Sequence, residues 1–226
     1  MEKETKIIGF VNQKGGAGKT TLTVLVANPL AINFDKKIAI IDADIQGSII
    51  AKRKLEMEEG IADFPYPVYF SKPSKILETL EELDGEFDYI FIDMPGQAYG
   101  EGLDKLLISL DFAFVPCLAG DTDVNSTYDF LEILKQVKII KKRELNSDIK
   151  IHLVNNKVDQ TVRYKDMASF FDQVIESSNN LIEKRDPALS LKSRVSYPNL
   201  FSTYTSGYKV GDELFDSFIS SFKEKI

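Results

Sequence analysis

The 226-residue sequence contains one cysteine, one histidine and no tryptophan. A single thiol, Cys117, permits neither an internal disulfide nor a four-thiolate metal centre, and the single imidazole, His152, argues against a zinc site. No apolar segment approaches the ~18 residues that a membrane span needs, and the charged N-terminus leads into a strand-like segment without a signal-peptide core. We therefore expect a soluble cytoplasmic protein in which Cys117 and His152 are buried packing groups.

The charge balance is acidic, with 35 aspartates and glutamates against 28 lysines and arginines, which gives a net charge of −7. Binding to nucleic acid would therefore need a local basic patch rather than a general positive field. With 43% hydrophobic and 28% charged residues, the composition is that of an ordinary globular protein. No change of composition divides the chain, and we expect a single domain over 1–226.

Short, nearly continuous apolar runs alternate with longer stretches of helical periodicity. Runs of this kind, rich in Ile, Val and Phe, are typical of strands that are covered on both faces. The predicted strands are 6–11, 37–42, 67–70, 89–93, 112–117 and 150–155. The predicted helices are 20–33, 73–84, 103–109, 123–143, 163–181 and 209–224. This alternation predicts an α/β fold with a doubly wound, mostly parallel sheet flanked by helices on both faces.

Prolines interrupt this pattern in two places. Pro29 should kink or end the first helix, because proline lacks the N–H that an interior helical position donates. The segment 185–208 is polar and broken by Pro187 and Pro198, so its secondary structure is not predicted.

A glycine-rich segment between the first predicted strand and the first predicted helix has the spacing of a phosphate-binding loop. It consists of Lys14, Gly15, Gly16, Ala17, Gly18, Lys19, Thr20 and Thr21. Small residues let successive backbone N–H groups point at an anion, and the start of the following helix adds its positive dipole. In this geometry Lys19 reaches the β- and γ-phosphates, the Thr20 hydroxyl is a Mg²⁺ ligand and Thr21 lies beside the α-phosphate. A chance glycine-rich turn does not account for so many specified residues.

The loop departs from the standard Walker A pattern at two positions. Gln13 stands where the first glycine is expected, and Lys14 adds a second lysine. A second lysine here is the mark of deviant Walker A ATPases, and the loop resembles that of the ParA/MinD family. The resemblance implies a P-loop NTPase fold in which Lys14 crosses a dimer interface to contact the nucleotide phosphates of the other subunit. It would then neutralise charge in trans, as an arginine finger does.

Three aspartates at predicted strand ends match further motifs of that family. Asp42 and Asp44 lie in a segment similar to the family's D-x-D-x-Q-G motif, with Ile45 where proline is common. By this resemblance Asp42 holds Mg²⁺-bound water and Asp44 positions the attacking water, whereas the alternative for a strand-end aspartate is a helix cap. Asp93 follows an apolar strand in a Walker B arrangement, which delivers a carboxylate to the Mg²⁺ shell.

Asn156 follows the last predicted strand, near a position where ParA/MinD relatives carry an asparagine or threonine that reads adenine. An amide can satisfy both the donor and the acceptor on the edge of adenine. Asparagine at a strand end is equally often a turn residue, so both interpretations stay open.

Within the family, the sequence most resembles ParA-like partition proteins. This resemblance implies ATP and Mg²⁺ as cofactors, slow hydrolysis, a homodimer on ATP binding and a ParB-like centromere-binding activator. It also implies DNA binding without sequence preference, and hence association with the nucleoid in the ATP-bound state. The candidate DNA contacts are Lys192 and Arg194, together with Lys141, Lys142 and Arg143. For the last three residues, a solvated helix end favoured by its dipole is an equal alternative.

Two other functions are compatible with the loop. MinD-type proteins end in a basic amphipathic helix that lies on a membrane, and the last predicted helix here also has an apolar stripe. Its polar face carries Asp212, Glu213, Asp216 and Glu224, which anionic lipid would repel, so we expect core packing and no membrane contact. Metabolic relatives, such as the synthetases of dethiobiotin and cobyrinate amides, generally lack an equivalent of Lys14.

Overall fold

The computed structural model describes residues 4–96, 100–158, 162–192, 203–204 and 213–226. Its strands are β1 (Lys6–Phe10), β2 (Ile38–Asp42), β3 (Val68–Phe70), β4 (Tyr89–Asp93), β5 (Phe112–Cys117), β6 (Lys150–Val158) and β7 (Ser190–Lys192). Its helices are α1 (Lys19–Ile32), α2 (Ser48–Glu58), α3 (Ile76–Leu83), α4 (Leu103–Ser109), α5 (Asp121–Glu144), α6 (Val162–Ser177) and α7 (Glu213–Lys225). A 3₁₀ turn at Pro73–Lys75 precedes α3.

The described strands form one seven-stranded sheet in the order β3-β2-β4-β1-β5-β6-β7, and the pairings between these neighbours are parallel. β1 lies between β4 and β5, with β2, β3 and β4 on one side of it and β5, β6 and β7 on the other. In doubly wound sheets, ligands bind beyond the carboxyl ends of the strands where the order reverses in this way. The predicted fold class is confirmed. In this fold, the expected ligand site lies at the carboxyl end of β1.

Helices cover both faces of the sheet, and each face has its own apolar core. Because successive strand residues point to opposite faces, Ile40 and Phe91 belong to one core while Ile41 and Ile92 belong to the other. α1 and α7 pack on the first face, and α5 packs on the second. Residues that are apolar on both sides of a strand explain why the sequence shows continuous rather than alternating apolar runs.

Pro29 does not stop α1, which continues to Ile32. The helix ends less than one turn after the proline, where Asn33 donates its backbone N–H to the carbonyl oxygen of Pro29. The missing N–H of Pro29 therefore removes one bond in the last turn, and the side chain is buried against the sheet. The expected effect of this proline is thus limited to the end of the helix.

The apolar stripe of α7 belongs to the core. Phe215, Phe218, Ile219 and Phe222 are at most 3% exposed, and the ring centroid of Phe222 lies 4.3 Å from that of Phe114. The prediction of core packing is confirmed for these residues. In the described part of the chain, no helix is both long enough and apolar enough to cross a membrane.

Cys117 and His152 are buried in neighbouring strands, as predicted. The His152 ring stacks on Phe114 at a centroid distance of 5.1 Å. Burial, followed by the ammonium groups of Lys225, Lys150 and Lys138, lowers the pKa of His152 to about 4, although the Asp186 carboxylate acts in the opposite direction. The imidazole is therefore neutral at physiological pH.

Candidate functional site

The glycine-rich loop connects the central strand β1 to α1. Gly16 and Gly18 have φ values of +76° and +93°, a left-handed conformation that residues with a Cβ rarely adopt. α1 begins without a side-chain cap and without an acidic residue in its first turn. Its first backbone N–H groups are therefore available to an anion, and the helix dipole favours one at this position.

Asn12 fixes the entrance of the loop. Its Nδ2 donates to Oγ1 of Thr127 (3.0 Å) and to a carbonyl oxygen at the end of β5 (2.9 Å), and its Oδ1 accepts from the N–H of Lys14 (2.9 Å). Gln13, which replaces the usual first glycine, donates from Nε2 to a backbone carbonyl of α5 (2.8 Å). No sequence motif points to Asn12, and its position as a polar residue close after a buried strand is the one local signal of its role.

Lys19 is the first residue of α1 and is only 6% exposed. Its Nζ lies 3.3 Å from the carbonyl oxygen of Lys14, so the side chain folds back under the loop. Burial lowers the pKa of the Lys19 ammonium, while the carboxylates of Asp93 and Asp44 act in the opposite direction. A buried cation beneath a ring of N–H donors is placed as phosphate binding requires.

Asp42 and Asp93 end neighbouring strands and are directly paired in the register of β2 and β4. Both side chains are fully buried. Neither carboxylate oxygen of Asp93, nor Oδ1 of Asp42, has a hydrogen-bond partner of standard geometry in the described part of the chain. Buried carboxylate oxygens without partners are costly, and a divalent cation would satisfy them.

The charge state of Asp93 reflects this environment. Burial, together with the smaller effect of the Asp42 charge, raises the pKa of Asp93 to about 7, although the Thr20 hydroxyl acts in the opposite direction. Mg²⁺ in nucleotide sites takes one or two carboxylates together with hydroxyl, water and phosphate oxygens. The side chains of Thr20, Asp42 and Asp93 fit that donor set. No cluster of three His, Cys, Asp or Glu side chains able to hold a metal occurs among the described residues. The site thus suits a cation shared with a nucleotide rather than one caged by protein alone.

The structure shows one of the two roles that the sequence left open for Asp42, and its role toward Mg²⁺ stays a prediction. Its Oδ2 accepts hydrogen bonds from the N–H groups of Ile49 (2.9 Å) and Ile50 (3.1 Å), so it caps α2. Its Oδ1 stays available to face a cation. Asp44 follows at the wall of the site, where its Oδ1 accepts from the N–H of Gln46 (2.9 Å).

Asn156 and Lys157 approach the loop from the end of β6. Nδ2 of Asn156 donates to the carbonyl oxygen of Ala17 (2.8 Å), and its Oδ1 accepts from the N–H of Lys157 (2.9 Å). Nζ of Lys157 donates to the carbonyl oxygen of Gly16 (3.0 Å). Asn156 therefore lies at the site with its amide already bonded to the chain, and its reading of adenine stays a prediction.

These groups surround a cavity of about 700 Å³, a size suited to a nucleotide. Its lining includes Gly15, Gly16, Gly18, Lys19, Thr20, Thr21, Asp44, Gly96, Asn156, Lys157 and Lys192. The aspartates come from the β2 and β4 side of β1, and Asn156 comes from the β6 side. Asp44 therefore borders the cavity on one side of β1, and Asn156 borders it on the other.

The predicted DNA contacts fall in two different environments. Lys192 ends β7, is exposed, and lines the nucleotide-sized cavity. Arg194 lies outside the described residues. Lys192 thus borders the site, and its contact with DNA stays a prediction.

The sequence left the group at 141–143 open between a DNA contact and a solvated helix end, and Lys141 fits neither. Lys141 is 3% exposed and its Nζ donates to the carbonyl oxygen of Leu110 at 2.6 Å, so its inclusion was wrong. Lys142 and Arg143 are exposed, but Lys142 pairs with Asp148 and Arg143 pairs with its neighbour Glu144. Its burial and the bond of its ammonium to a backbone carbonyl make Lys141 a structural residue.

The central position of the loop, with strand-end carboxylates on one side and an amide on the other, is the arrangement of a P-loop nucleotide-binding protein. Residues 8–195 match the family described as the CobQ/CobB/MinD/ParA nucleotide binding domain. The match covers more than half of the chain, and the protein belongs to this ParA/MinD family.

One curated relative illustrates how far the sequence similarity extends. The chain is 29% identical to protein VirC1 of Rhizobium radiobacter over 132 residues, which is 56% of each sequence. The chain spans about half the length of the curated relatives it matches.

Solved structures share the fold over nearly the whole chain. Apo McdA of Cyanothece superimposes with a TM-score of 0.72 at 17% identity, covering 97% of this chain and 98% of that one. A plasmid partition protein of Borrelia burgdorferi bound to AMPPNP gives 0.70 at 18%, covering 99% and 100%. The pNOB8 ParA bound to nonspecific DNA gives 0.65 at 16%, covering 98% and 100%. At these identities, the likeness establishes the fold alone.

Proposed function

We propose that this chain is a ParA-like ATPase that binds Mg-ATP, dimerises across the nucleotide and slowly hydrolyses it to drive DNA segregation. The observation that carries the proposal is the position of Lys14. Among the described residues that line the cavity, Lys19 is present and Lys14 is absent, and Nζ of Lys14 instead lies 3.1 Å from Asp123. The second lysine is thus directed away from the phosphate site of its own subunit, which suits contact with a nucleotide bound elsewhere.

Each side chain at the site has a role in this proposal. Lys19 and the first N–H groups of α1 bind the phosphates, with Thr21 beside them. Thr20, Asp42 and Asp93 would hold Mg²⁺, which would supply positive charge beside the γ-phosphate. Asp44 orients the attacking water from the cavity wall.

Hydrolysis should be slow without an activator. The chain has one histidine, and it is buried in β6 with a lowered pKa. No imidazole is therefore available as a general base, and we expect turnover far below the ~10 s⁻¹ that is typical of enzymes. A ParB-like protein bound at a centromere-like site is the activator that we propose.

The DNA part of the proposal is supported by the structural neighbours, which include a plasmid partition protein and a ParA bound to nonspecific DNA. Lys192 and Arg194 are the residues that we propose for this contact. The burial of the apolar stripe of α7 favours partition over MinD-like membrane attachment, because Phe215 and Phe218 are not available to lipid.

The proposal is tested by measuring the mass of the protein by size-exclusion chromatography with light scattering, in Mg²⁺ with ATP, ADP, GTP or no nucleotide. We expect a dimer with ATP and a monomer with ADP. DNA retention should appear under the conditions that give the dimer and decline steeply with salt. The same mass under all four conditions would refute the switch, and a dimer with GTP alone would refute ATP as the ligand.

A further inference from the structure

We infer that Asn12, Gln13 and Thr127, here called the entrance brace, hold Lys14 in position for contact with the nucleotide of a second subunit. None of these three described residues lines the nucleotide-sized cavity, so they are positioning residues that act through Lys14. The inference rests on the proposed ATP-dependent dimer, and it adds the residues that prepare Lys14 for that dimer.

Helix α5 is bonded to two successive residues at the entrance of the loop. Oγ1 of Thr127 accepts from Nδ2 of Asn12 at 3.0 Å, and the carbonyl oxygen of Ser126 accepts from Nε2 of Gln13 at 2.8 Å. A carbonyl oxygen has two lone pairs, so it can accept this bond in addition to one within the helix. A glycine at position 13, as in the standard loop, would have no side chain to make this contact.

Asn12 extends this attachment to the backbone of Lys14. Its Nδ2 also donates to the carbonyl oxygen of Pro116 at the end of β5 (2.9 Å), and its Oδ1 accepts from the N–H of Lys14 (2.9 Å). Asn12 and Thr127 are buried, and breaking a bond between them would leave a buried donor without its partner. The N–H of Lys14 is thus fixed relative to β5 and α5 by bonds within the protein.

The support from α5 reaches as far as Lys14, and open chain follows it. Gly15 and Gly16 are exposed, and a Cβ built on either would meet no heavy atom within 4 Å outside its neighbours in the chain. A lysine on unsupported backbone would lose more conformational freedom when an interface fixes it. Fixing the backbone of Lys14 in advance removes part of that cost, and the brace therefore favours dimerisation.

The phosphate-binding half of the loop has separate support. Lys19 and Thr20 belong to the first turn of α1, which packs on the opposite face of the sheet from α5. The bond from Nζ of Lys19 to the carbonyl oxygen of Lys14 is long, at 3.3 Å, so it transmits little of a change at the entrance. Loosening the brace should therefore affect Lys14 more than it affects phosphate binding.

The test measures nucleotide affinity and dimerisation separately. Calorimetry gives the affinity for Mg-ADP, and analytical ultracentrifugation with Mg-ATP gives the dimer dissociation constant. The variants are Thr127→Val, which keeps the branched shape without the acceptor, and Gln13→Ala. Thr127→Ser keeps the hydroxyl and is the rescue variant. The controls are Thr79→Val on α3 and Gln136→Ala at an exposed position on α5.

We expect Thr127→Val and Gln13→Ala each to raise the dimer dissociation constant about 5- to 30-fold, the effect of releasing the backbone of roughly one residue. Their affinity for Mg-ADP should stay close to that of wild type. Thr127→Ser should restore most of the dimer stability, because its hydroxyl can accept the same hydrogen bond. Thr79→Val and Gln136→Ala should change neither quantity.

Equal losses of Mg-ADP affinity and dimer stability would overturn the proposal, because the brace would then shape the phosphate site itself. Unchanged dimerisation in Thr127→Val and Gln13→Ala, or no recovery in Thr127→Ser, would overturn it as well. Gln13→Ala decides the question if Thr127→Val does not fold, since Gln13 is only half-buried. A wild-type protein that binds Mg-ADP but stays a monomer with Mg-ATP would instead refute the proposed switch, so the two failures are distinguishable.

Discussion

The Nζ of Lys14 lies 3.1 Å from Oδ1 of Asp123, an acidic residue in the first turn of α5. The two side chains are 38% and 21% exposed. An ion pair exposed to this degree contributes at most about 1 kcal/mol, so it orients Lys14 without preventing its release. Contact of Lys14 with the nucleotide of a partner subunit would require this pair to break.

Replacing Asp123 with asparagine should therefore strengthen ATP-dependent dimerisation. Without the competing carboxylate, we expect the dimer dissociation constant to fall about 2- to 5-fold, within the ~1 kcal/mol attributed to the pair. Analytical ultracentrifugation with Mg-ATP measures it. Asp121→Asn is the matched control, since it removes an acid from the same helical turn and forms no ion pair with other described residues. Equal dimer stability in both variants would show that Asp123 does not restrain Lys14.

Lys14→Ala and Lys19→Ala should separate the two lysines of the loop. Lys14→Ala should bind ATP through Lys19 yet lose dimerisation and hydrolysis together, since the γ-phosphate then lacks its partner in trans. Lys19→Ala should lose ATP binding, because the buried cation beneath the loop is removed. Calorimetry for binding and light scattering for mass distinguish these outcomes. A Lys14→Ala protein that dimerises normally with ATP would place this lysine outside the interface.

The raised pKa of Asp93 predicts a pH-dependent stability in the absence of metal and nucleotide. Between about pH 4 and 7, folded Asp93 keeps a proton that the unfolded chain has lost, so stability falls as pH rises through this window. Asp93→Asn removes this effect. At pH 8 in EDTA, we expect Asp93→Asn to unfold at a higher temperature than wild type. Its free energy of unfolding should be larger by up to about 4 kcal/mol, and this difference should shrink toward pH 4.

Calorimetric melts of wild type and Asp93→Asn at pH 4.5 and 8 test this expectation. Adding Mg-ATP at pH 8 should reverse the order, because only wild type then gains the stabilisation of a bound cation. Identical differences at the two pH values would show that Asp93 is ionised in the native state throughout.

The elements that sequence reasoning located best are those whose signal is local. The loop, the strand ends at Asp42 and Asp93 and helix α4 follow from contiguous motifs or apolar runs, and the structure places them with small shifts at the ends. β7 was missed because it has three residues and a single buried side chain, Leu191, which is too short to carry a pattern. The strand β6 extends to Val158, beyond the predicted end, where polar residues replace apolar ones.

Helix α2 was missed for a different reason. Its buried residues are Ile49, Arg53 and Glu56, so the face that packs inward is mostly charged and shows no apolar stripe. Arg53 donates from Nε to Oγ1 of Thr203 (2.9 Å), and the carboxylate of Glu56 accepts from the N–H of the same residue (3.2 Å). A partner about 150 positions away satisfies these charges. No local sequence pattern could indicate a contact between residues so far apart in the chain. The ion pair of Lys14 with Asp123 could not be predicted for the same reason.

The proposed DNA contact predicts a loss of affinity that is separable from nucleotide binding. Lys192→Ala combined with Arg194→Ala should weaken ATP-dependent DNA retention and lower the slope of log affinity against log salt by about 0.9 for each lost phosphate contact. ATP affinity must be measured in parallel, because Lys192 lines the cavity. Lys54→Ala serves as the control for charge. An unchanged salt slope would remove both residues from the DNA surface.

Asp44 should separate assembly from hydrolysis. It lies half-buried at the cavity wall, with Oδ1 held by the N–H of Gln46, so Oδ2 is left to orient a water near the γ-phosphate. Asp44→Ala should therefore bind ATP, dimerise and then stall, with turnover reduced about 100-fold or more. Asp44→Asn can keep the hydrogen bond to Gln46 while losing the charge, so it shows whether loop geometry or the carboxylate matters. We expect both variants to stall as ATP-bound dimers when turnover and mass are measured on the same samples. Hydrolysis at the wild-type rate in either variant would assign the water to another group.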